Sequence, residues 1–149
     1  MDKIVNQEGL IPMMAKLSKE FRALVMEKFQ KNGIQLNKEQ AIILKILTDV
    51  NECPQNDLAL VTSRDKTTLT RLLTTMEKKS LIQRRQCKSD KRVNLVSITD
   101  TGLIAFKEAE PILTTILDDA VTGIEEHRIN EAKLLIKDIY NNLNIPYEK

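Results

Sequence analysis

The sequence predicts a mainly α-helical fold that contains one small β-hairpin, an α+β arrangement. Two observations predict this fold. Apolar residues recur at helical spacing along most of the chain, and two short β-prone runs joined by a polar turn replace that pattern after residue 81. Of the 149 residues, 42% are apolar and 30% are charged. A chain of this length and composition can bury a core without disulfides or metals.

The first and last helices are predicted from apolar stripes with steps of three and four residues. The first helix covers residues 10–31 and ends at Asn32-Gly33, a pair typical of a helix end. Its stripe consists of Leu10, Met14, Leu17, Phe21 and Leu24. The last helix follows Gly123, and its stripe consists of Ile129, Ala132, Ile136, Ile139 and Leu143.

Three shorter helices are predicted between these two. Asn37 and Gln40 have the spacing of a capping box and open the first of them. The segment 51–54 breaks that helix and is expected to be a loop, and a short helix over 55–61 follows. The third helix, over 65–79, has Asp65 as its N-cap.

A β-hairpin is predicted next, from the runs Ile82–Gln86 and Val93–Ile98 joined by the polar segment Cys87–Lys91. Thr99 then stands where an N-cap is expected, before a helix over 100–121 that Pro111 must kink or interrupt. Three compact helices followed by a two-stranded hairpin are the order of a winged helix-turn-helix.

The charge is concentrated in the predicted winged segment. Between Arg64 and Arg92 ten basic residues face three acidic ones, so this stretch carries +7 and the rest of the chain −5, for a total of +2. Such an asymmetry is typical of a surface that binds a polyanion. The pattern favours double-stranded DNA over RNA, because no aromatic stacking platform is visible.

The helix over 65–79 has an apolar face and an opposite face of hydroxyls and cations. At 100° per residue the leucines and Met76 fall on one side. The opposite side and its flanks hold the predicted DNA-binding residues Lys66, Thr67, Thr68, Thr70, Arg71 and Thr74. Threonine can bond base edges or touch a thymine methyl group, and arginine can grip guanine.

The hairpin adds a second cationic surface, which can reach phosphates or a narrow minor groove. Asp90 repels phosphate, so we expect it to hold an arginine guanidinium in a fixed pose. The predicted DNA-binding residues of this wing are Arg84, Arg85, Lys88, Asp90, Lys91 and Arg92.

The winged segment resembles the MarR family of bacterial transcription regulators over about residues 36–102. The residues that carry the resemblance lie in Asp57–Ala59, Asp65–Leu73, Met76–Ile82 with Arg84, Asp90–Arg92 and Ile98–Gly102. It implies a homodimeric repressor that reads a palindromic operator, with Arg92 in the minor groove and Asp90 as its support. Ser80 departs from the family, which usually has glycine there; a left-handed serine costs about 1 kcal/mol.

Dimerisation is also expected from the two long stripes, because a winged core alone cannot cover both. We therefore predict an N-terminal dimerisation helix in 1–35, a DNA-binding domain in 36–100 and C-terminal dimerisation helices in 101–149. The longest apolar run, Ala41–Leu44, is far too short to span a membrane, and no signal peptide is visible, so a cytoplasmic location is expected.

Control of such a regulator is less specified by the sequence. The resemblance implies release of DNA by a small anionic or aromatic ligand, or control by thiol oxidation or by zinc, and the sequence does not identify which. The single histidine, His127, argues against a zinc sensor, and no cofactor is predicted. Cys53 is expected in a loop, and Cys87 on the wing beside Arg85 and Lys88, cations that can lower the pKa of a thiol; redox control through Cys87 is kept only as an alternative.

One function of another class stays open. A winged helix can serve as a protein-interaction module without reading DNA, although such a module needs no carboxylate-free helix face. An enzyme is not expected, because the chain lacks a GxSxG motif, a phosphate loop and a metal-ligand cluster.

Overall fold

The computed structural model describes residues 9–62 and 64–145. In these residues six helices and three strands follow one another. They are α1 (Leu10–Lys31), α2 (Lys38–Val50), β1 (Glu52–Pro54), α3 (Gln55–Val61), α4 (Lys66–Lys78), β2 (Ile82–Gln86), β3 (Asn94–Ile98), α5 (Asp100–Val121) and α6 (Glu126–Asn142). The predicted mainly helical fold with a small hairpin is confirmed. The chain divides into two compact units, residues up to 113 and residues from 114.

The helix ends follow the predicted signals. Asn37 Oδ1 accepts the backbone N–H of Gln40 at 2.8 Å, and Gln40 Oε1 accepts that of Asn37 at 3.1 Å, which completes the capping box of α2. At the end of α1, Gly33 has φ 68°, and the N–H of Ile34 donates to the carbonyl of Phe29 at 2.9 Å. This is a Schellman motif, in which glycine is the favoured residue.

The hairpin is extended into a three-stranded antiparallel sheet of order β1-β3-β2. In the hairpin Ile82 lies opposite Ile98, and on the other edge of β3 Cys53 lies opposite Val96. The expected loop over 51–54 is therefore wrong, because its residues find hydrogen-bonding partners more than 40 residues away. Cys53 lies in a strand and not in a loop.

The core of the first unit lies where α2, α3 and α4 meet the sheet, and α1 and α5 also contribute side chains to it. It is made of large apolar side chains that are almost completely buried. These are Val25, Phe29, Ile43, Leu44, Leu47, Leu58, Leu69, Leu73, Met76, Ile82, Val96 and Phe106. Leu72, which the helical spacing places on the buried face of α4, is only half-buried. The core fixes α4 with its opposite face toward solvent.

The start of α5 is locked against the end of α4. Thr99 is its N-cap, as predicted: its Oγ1 accepts the N–H of Gly102 at 3.0 Å and donates to the carbonyl of Ser80. A side chain on Gly102 would place its Cβ 2.0 Å from the carbonyl oxygen of Leu81. Pro111 does not interrupt α5, which continues to Val121.

None of the helices in the described residues is long and apolar enough to span a bilayer.

Candidate nucleic-acid interface

The outward face of α4 carries exposed cations and hydroxyls. Lys66, Thr67, Thr68, Thr70 and Arg71 are all exposed, and Thr74 is half-buried. Leu69, Leu73 and Met76 on the opposite face are buried in the core. The structure thus brings the six predicted residues of this helix to one surface, and their contact with DNA stays a prediction.

Asp65 is turned into the helix end and not toward the solvent face. Its Oδ1 accepts the backbone N–H of Thr68 at 2.8 Å, and its Oδ2 accepts the Thr68 hydroxyl at 2.6 Å. These two hydrogen bonds hold the pKa of Asp65 below its ordinary value. The Asp65 carboxylate therefore acts as the helix cap, and the Thr68 hydroxyl donates its proton to it.

The end of α4 is a Schellman motif built on serine. Ser80 has φ 59°, its N–H donates to the carbonyl of Glu77 at 2.9 Å, and the N–H of Leu81 donates to the carbonyl of Met76 at 3.0 Å. The cost of a left-handed serine allowed for a different helix end, but the structure has serine in the left-handed conformation. The motif ends the helix at the point where the chain enters the hairpin.

Arg84 connects the wing to α4. Its Nη2 lies 3.0 Å from Glu77 Oε1 and 3.1 Å from Thr74 Oγ1, and its backbone N–H donates to Glu77 Oε2 at 3.0 Å. Only 20% of its side chain is exposed. The arginine lowers the pKa of Glu77 by hydrogen bonding and by its charge. Arg84 thus links β2 to α4, a role that the sequence did not indicate.

Arg85 is engaged in the same way on the other side of the sheet. Its Nε and Nη2 donate to the two carboxylate oxygens of Glu52 at 3.0 and 2.7 Å, which ties β2 to β1 across β3. Sequence reasoning missed Glu52, because nothing in the local pattern shows that residues 33 positions apart meet.

The arginine at the tip of the wing, Arg92, is more exposed than Arg84 and Arg85. Asp90 accepts from Arg92 Nε at 3.1 Å and from Nη2 at 3.2 Å, and it also accepts the backbone N–H of Arg92. The Arg92 side chain is 91% exposed. These bonds lower the pKa of Asp90, so the expected pairing of carboxylate and guanidinium is present. Lys88 and Lys91 are exposed beside it.

The Cys87 thiol lies at the base of this tip. Its Sγ is 3.1 Å from the Ser89 hydroxyl, and this hydrogen bond is the main cause of a pKa below the ordinary thiol value. Backbone N–H groups and the charge of Arg85 contribute less. The pKa of Cys87 is lowered, as expected, although the main cause is the Ser89 hydroxyl and not a cation. Burial raises the pKa of Cys53.

One further residue of this surface was missed by sequence reasoning. Gln55, the first residue of α3, donates from Nε2 to Thr70 Oγ1 at 3.0 Å. The described residues include no cluster of three or more His, Cys, Asp or Glu side chains that could hold a metal ion. His127 is exposed, with Nδ1 3.5 Å from Glu125.

An exposed helix with a cationic face, the short helix α3 before it and a cationic hairpin after it define a winged helix-turn-helix protein. The model of the MarR family matches residues 36–93, which span α2 to the tip of the wing. This segment is therefore similar to the MarR family of transcriptional regulators.

Several solved structures share the fold of most of the chain. AbsC, a MarR family regulator from Streptomyces coelicolor, has 21% identity and a TM-score of 0.79, with 89% of this chain and 90% of AbsC covered. MepR of S. aureus, crystallised in a complex with DNA, has 21% identity and a TM-score of 0.80, covering 91% and 99%. A MarR mutant from E. coli in complex with operator DNA has 18% identity and a TM-score of 0.77, covering 87% and 92%.

Proposed function

We propose that this chain is a cytoplasmic, sequence-specific DNA-binding regulator of transcription. It acts as a repressor and binds a palindromic operator as a homodimer. The observation that carries the proposal is the cationic outward face of α4 beside the cationic wing. The similarity in fold to regulators crystallised with DNA supports it.

In this proposal α4 enters the major groove. The core holds its apolar face, so Thr67 and Arg71 are directed to base edges, where arginine can form two hydrogen bonds to guanine. The Asp65 carboxylate bonds to the N-terminus of α4 and offsets its partial positive charge, so Lys66 and Arg71 supply the attraction to the phosphates.

The wing contacts the flanking backbone and the minor groove. Arg92 is the residue for the groove, since it is almost fully exposed and Asp90 restricts its conformations. Lys88 and Lys91 bind phosphates. Arg84 and Arg85 act through the position of the wing, because carboxylates already hold both guanidinium groups.

Two copies of the chain assemble through the segments 1–35 and 101–149, while residues 36–100 bind DNA. Support comes from apolar side chains that a single chain leaves in water: Leu17 is 69% exposed on α1, and Leu134 is 62% exposed on α6. In α6 no described residue is fully buried. An amphipathic helix of this kind needs another surface to be stable.

A small anionic effector is proposed to bind in a cleft between α1, α2 and the segment before α4. The cleft has a volume of about 240 Å³ and is lined by Ile42, Val61 and Leu72. At its polar end Arg22 and Arg64 both contact Glu39 Oε1, at 3.2 and 3.1 Å. An aromatic carboxylate could compete with Glu39 for Arg64, which directly precedes the N-cap of α4.

Fluorescence anisotropy tests the DNA-binding proposal. The probes are duplexes from the region around the protein's own gene and duplexes selected from a random-sequence library, each titrated at several salt concentrations. We expect a palindromic site and an affinity that falls steeply with salt, because cationic side chains release counterions from phosphate. Addition of benzoate to the complex tests the effector site, and release of DNA is expected.

Two variants assign the roles of the helix and the wing. Arg71→Ala should cost about 1–3 kcal/mol for each base that the arginine reads and should relax the sequence preference. Arg92→Ala should weaken binding with less effect on which major-groove bases are preferred. Arg128→Ala, which removes an exposed arginine outside the cationic segment, is the matched control. Unchanged DNA affinity in both test variants would refute the site.

A further inference from the structure

We propose that Thr70 and Thr74 recognise thymine through their methyl groups and not through their hydroxyls. The proposal rests on the proposed DNA binding of α4 and specifies which base chemistry its face reads. Lys66, Thr70 and Thr74 follow one another at intervals of four residues, so the two threonines lie along one ridge of the helix.

The hydroxyl of Thr70 is already committed within the protein. A threonine hydroxyl has one proton to donate and two lone pairs with which to accept. Thr70 Oγ1 donates its proton to the carbonyl of Lys66 at 2.7 Å and accepts from Gln55 Nε2 at 3.0 Å. A bond from this hydroxyl to a base acceptor would require the internal bond to break.

The hydroxyl of Thr74 is committed in the same manner. Its Oγ1 donates to the carbonyl of Thr70 at 2.8 Å and accepts from Arg84 Nη2 at 3.1 Å. The two partners come from different elements: Gln55 lies at the start of α3, and Arg84 lies in β2. The rotamers of both threonines are therefore fixed from outside α4 before DNA arrives.

Each hydroxyl keeps one lone pair, but thymine presents only the O4 acceptor and the C5 methyl group in the major groove, so the methyl groups of Thr70 and Thr74 are what can contact thymine. With Oγ1 directed at the carbonyl four residues earlier, the methyl group takes another staggered position on Cβ. Contact with the C5 methyl group of thymine needs no hydrogen bond to break, and cytosine, guanine and adenine have no such group. Since Thr70 is exposed and Thr74 half-buried, Thr70 makes the larger contact.

The test removes one methyl group at a time from each side of the interface. A duplex selected by the full chain from a random-sequence library is resynthesised with deoxyuridine, which lacks the C5 methyl group, at each thymine in turn. Affinity should fall about fourfold for each contacted thymine, the loss expected for one buried methyl group. Thr70→Ser should show the same loss on the thymine duplex and no additional loss on the deoxyuridine duplex.

Thr70→Val keeps the methyl group, removes the hydroxyl and should bind within about twofold of the wild type. The pair Thr48→Val and Thr48→Ser is the matched control, because Thr48 Oγ1 makes the same kind of bond, 2.8 Å to the carbonyl of Leu44 on α2. Thermal unfolding of each variant reports any loss of folded protein.

Loss of binding in Thr70→Val with full binding in Thr70→Ser would overturn the inference and assign Thr70 to a hydrogen bond. The same conclusion follows if no deoxyuridine duplex binds more weakly than its parent. Both results leave the proposed DNA binding intact. If the selection recovers no duplex at all, the proposed function fails together with the inference.

Discussion

At the scale of single residues, the cations of the winged segment differ in what they are free to do. Arg84 and Arg92 have the same side chain and lie on the same hairpin, yet 20% of one and 91% of the other is exposed. The difference comes from the position of the carboxylate. Glu77 reaches Arg84 from a different element, whereas Asp90 holds Arg92 from two residues away at the tip. The count of charges alone does not separate these roles.

The two cysteines should differ in reactivity. The Ser89 hydroxyl lowers the pKa of Cys87, while burial raises that of Cys53, so Cys87 has more thiolate at neutral pH. We expect iodoacetamide to modify Cys87 first, as measured by mass spectrometry of the intact protein. Ser89→Ala should raise the pKa of Cys87 and slow its reaction, with Cys53→Ser as the control that isolates one thiol. Equal rates at both cysteines would contradict this prediction.

At the scale of elements, the Arg84–Glu77 pair joins α4 to β2 and should give stability a specific pH dependence. Because the pKa of Glu77 is lowered in the folded state, its contribution is complete above the ordinary pKa of glutamate. It is lost as the pH falls through the lowered pKa. Glu77→Gln should remove this dependence, with a stability loss below about 1 kcal/mol at neutral pH because the carboxylate is partly solvated. Urea unfolding at several pH values measures it.

The control for Glu77→Gln is Glu108→Gln, which changes an exposed glutamate on α5. Its unfolding free energy should follow the wild type at every pH. If the Glu77→Gln protein loses stability in acid to the same extent as the wild type, the Arg84–Glu77 pair does not stabilise the contact between the wing and α4.

The junction between the hairpin and α5 depends on Gly102. A Cβ at this position would lie 2.0 Å from the carbonyl oxygen of Leu81, which is backbone and cannot turn aside. Gly102→Ala should therefore destabilise the protein by about 1–3 kcal/mol or more, measured by urea unfolding. In Gly33→Ala the new Cβ has open space around it, but the positive φ strains the backbone. Its loss of unfolding free energy therefore measures the cost of backbone strain without a clash.

Local signals in the sequence were sufficient for the helices and insufficient for contacts between elements. Asn37 with Gln40, Asp65 and Thr99 each define a helix start within four residues, and the structure has those caps. β1 was missed because three residues ending in Pro54 show no alternation, and the partners that make them a strand lie in β3. The pairs of Arg84 and Arg85 were missed for the same reason.

At the scale of the whole molecule, burial is unevenly distributed between the winged segment and the long helices. The core residues of α2, α3 and α4 are almost completely buried, whereas α1 has only Val25 and Phe29 buried among its described residues. Only two of the 22 residues of α1 are buried, so its own chain leaves most of the apolar stripe of this helix uncovered. This imbalance is what a surface reserved for a second copy would produce.

The proposed homodimer can be tested by placing a charge on that surface. Leu17→Glu puts a carboxylate on the exposed stripe of α1, and burial of an unpaired charge between two copies is strongly unfavourable. We expect light scattering to report a monomer, and affinity for a palindromic duplex to fall toward that of a single winged domain for a half-site. Val50→Glu, which charges an exposed apolar residue at the end of α2, should remain dimeric. A Leu17→Glu protein that stays dimeric and binds the palindrome normally would show that α1 does not form the interface, and the apolar stripe would then need another occupant.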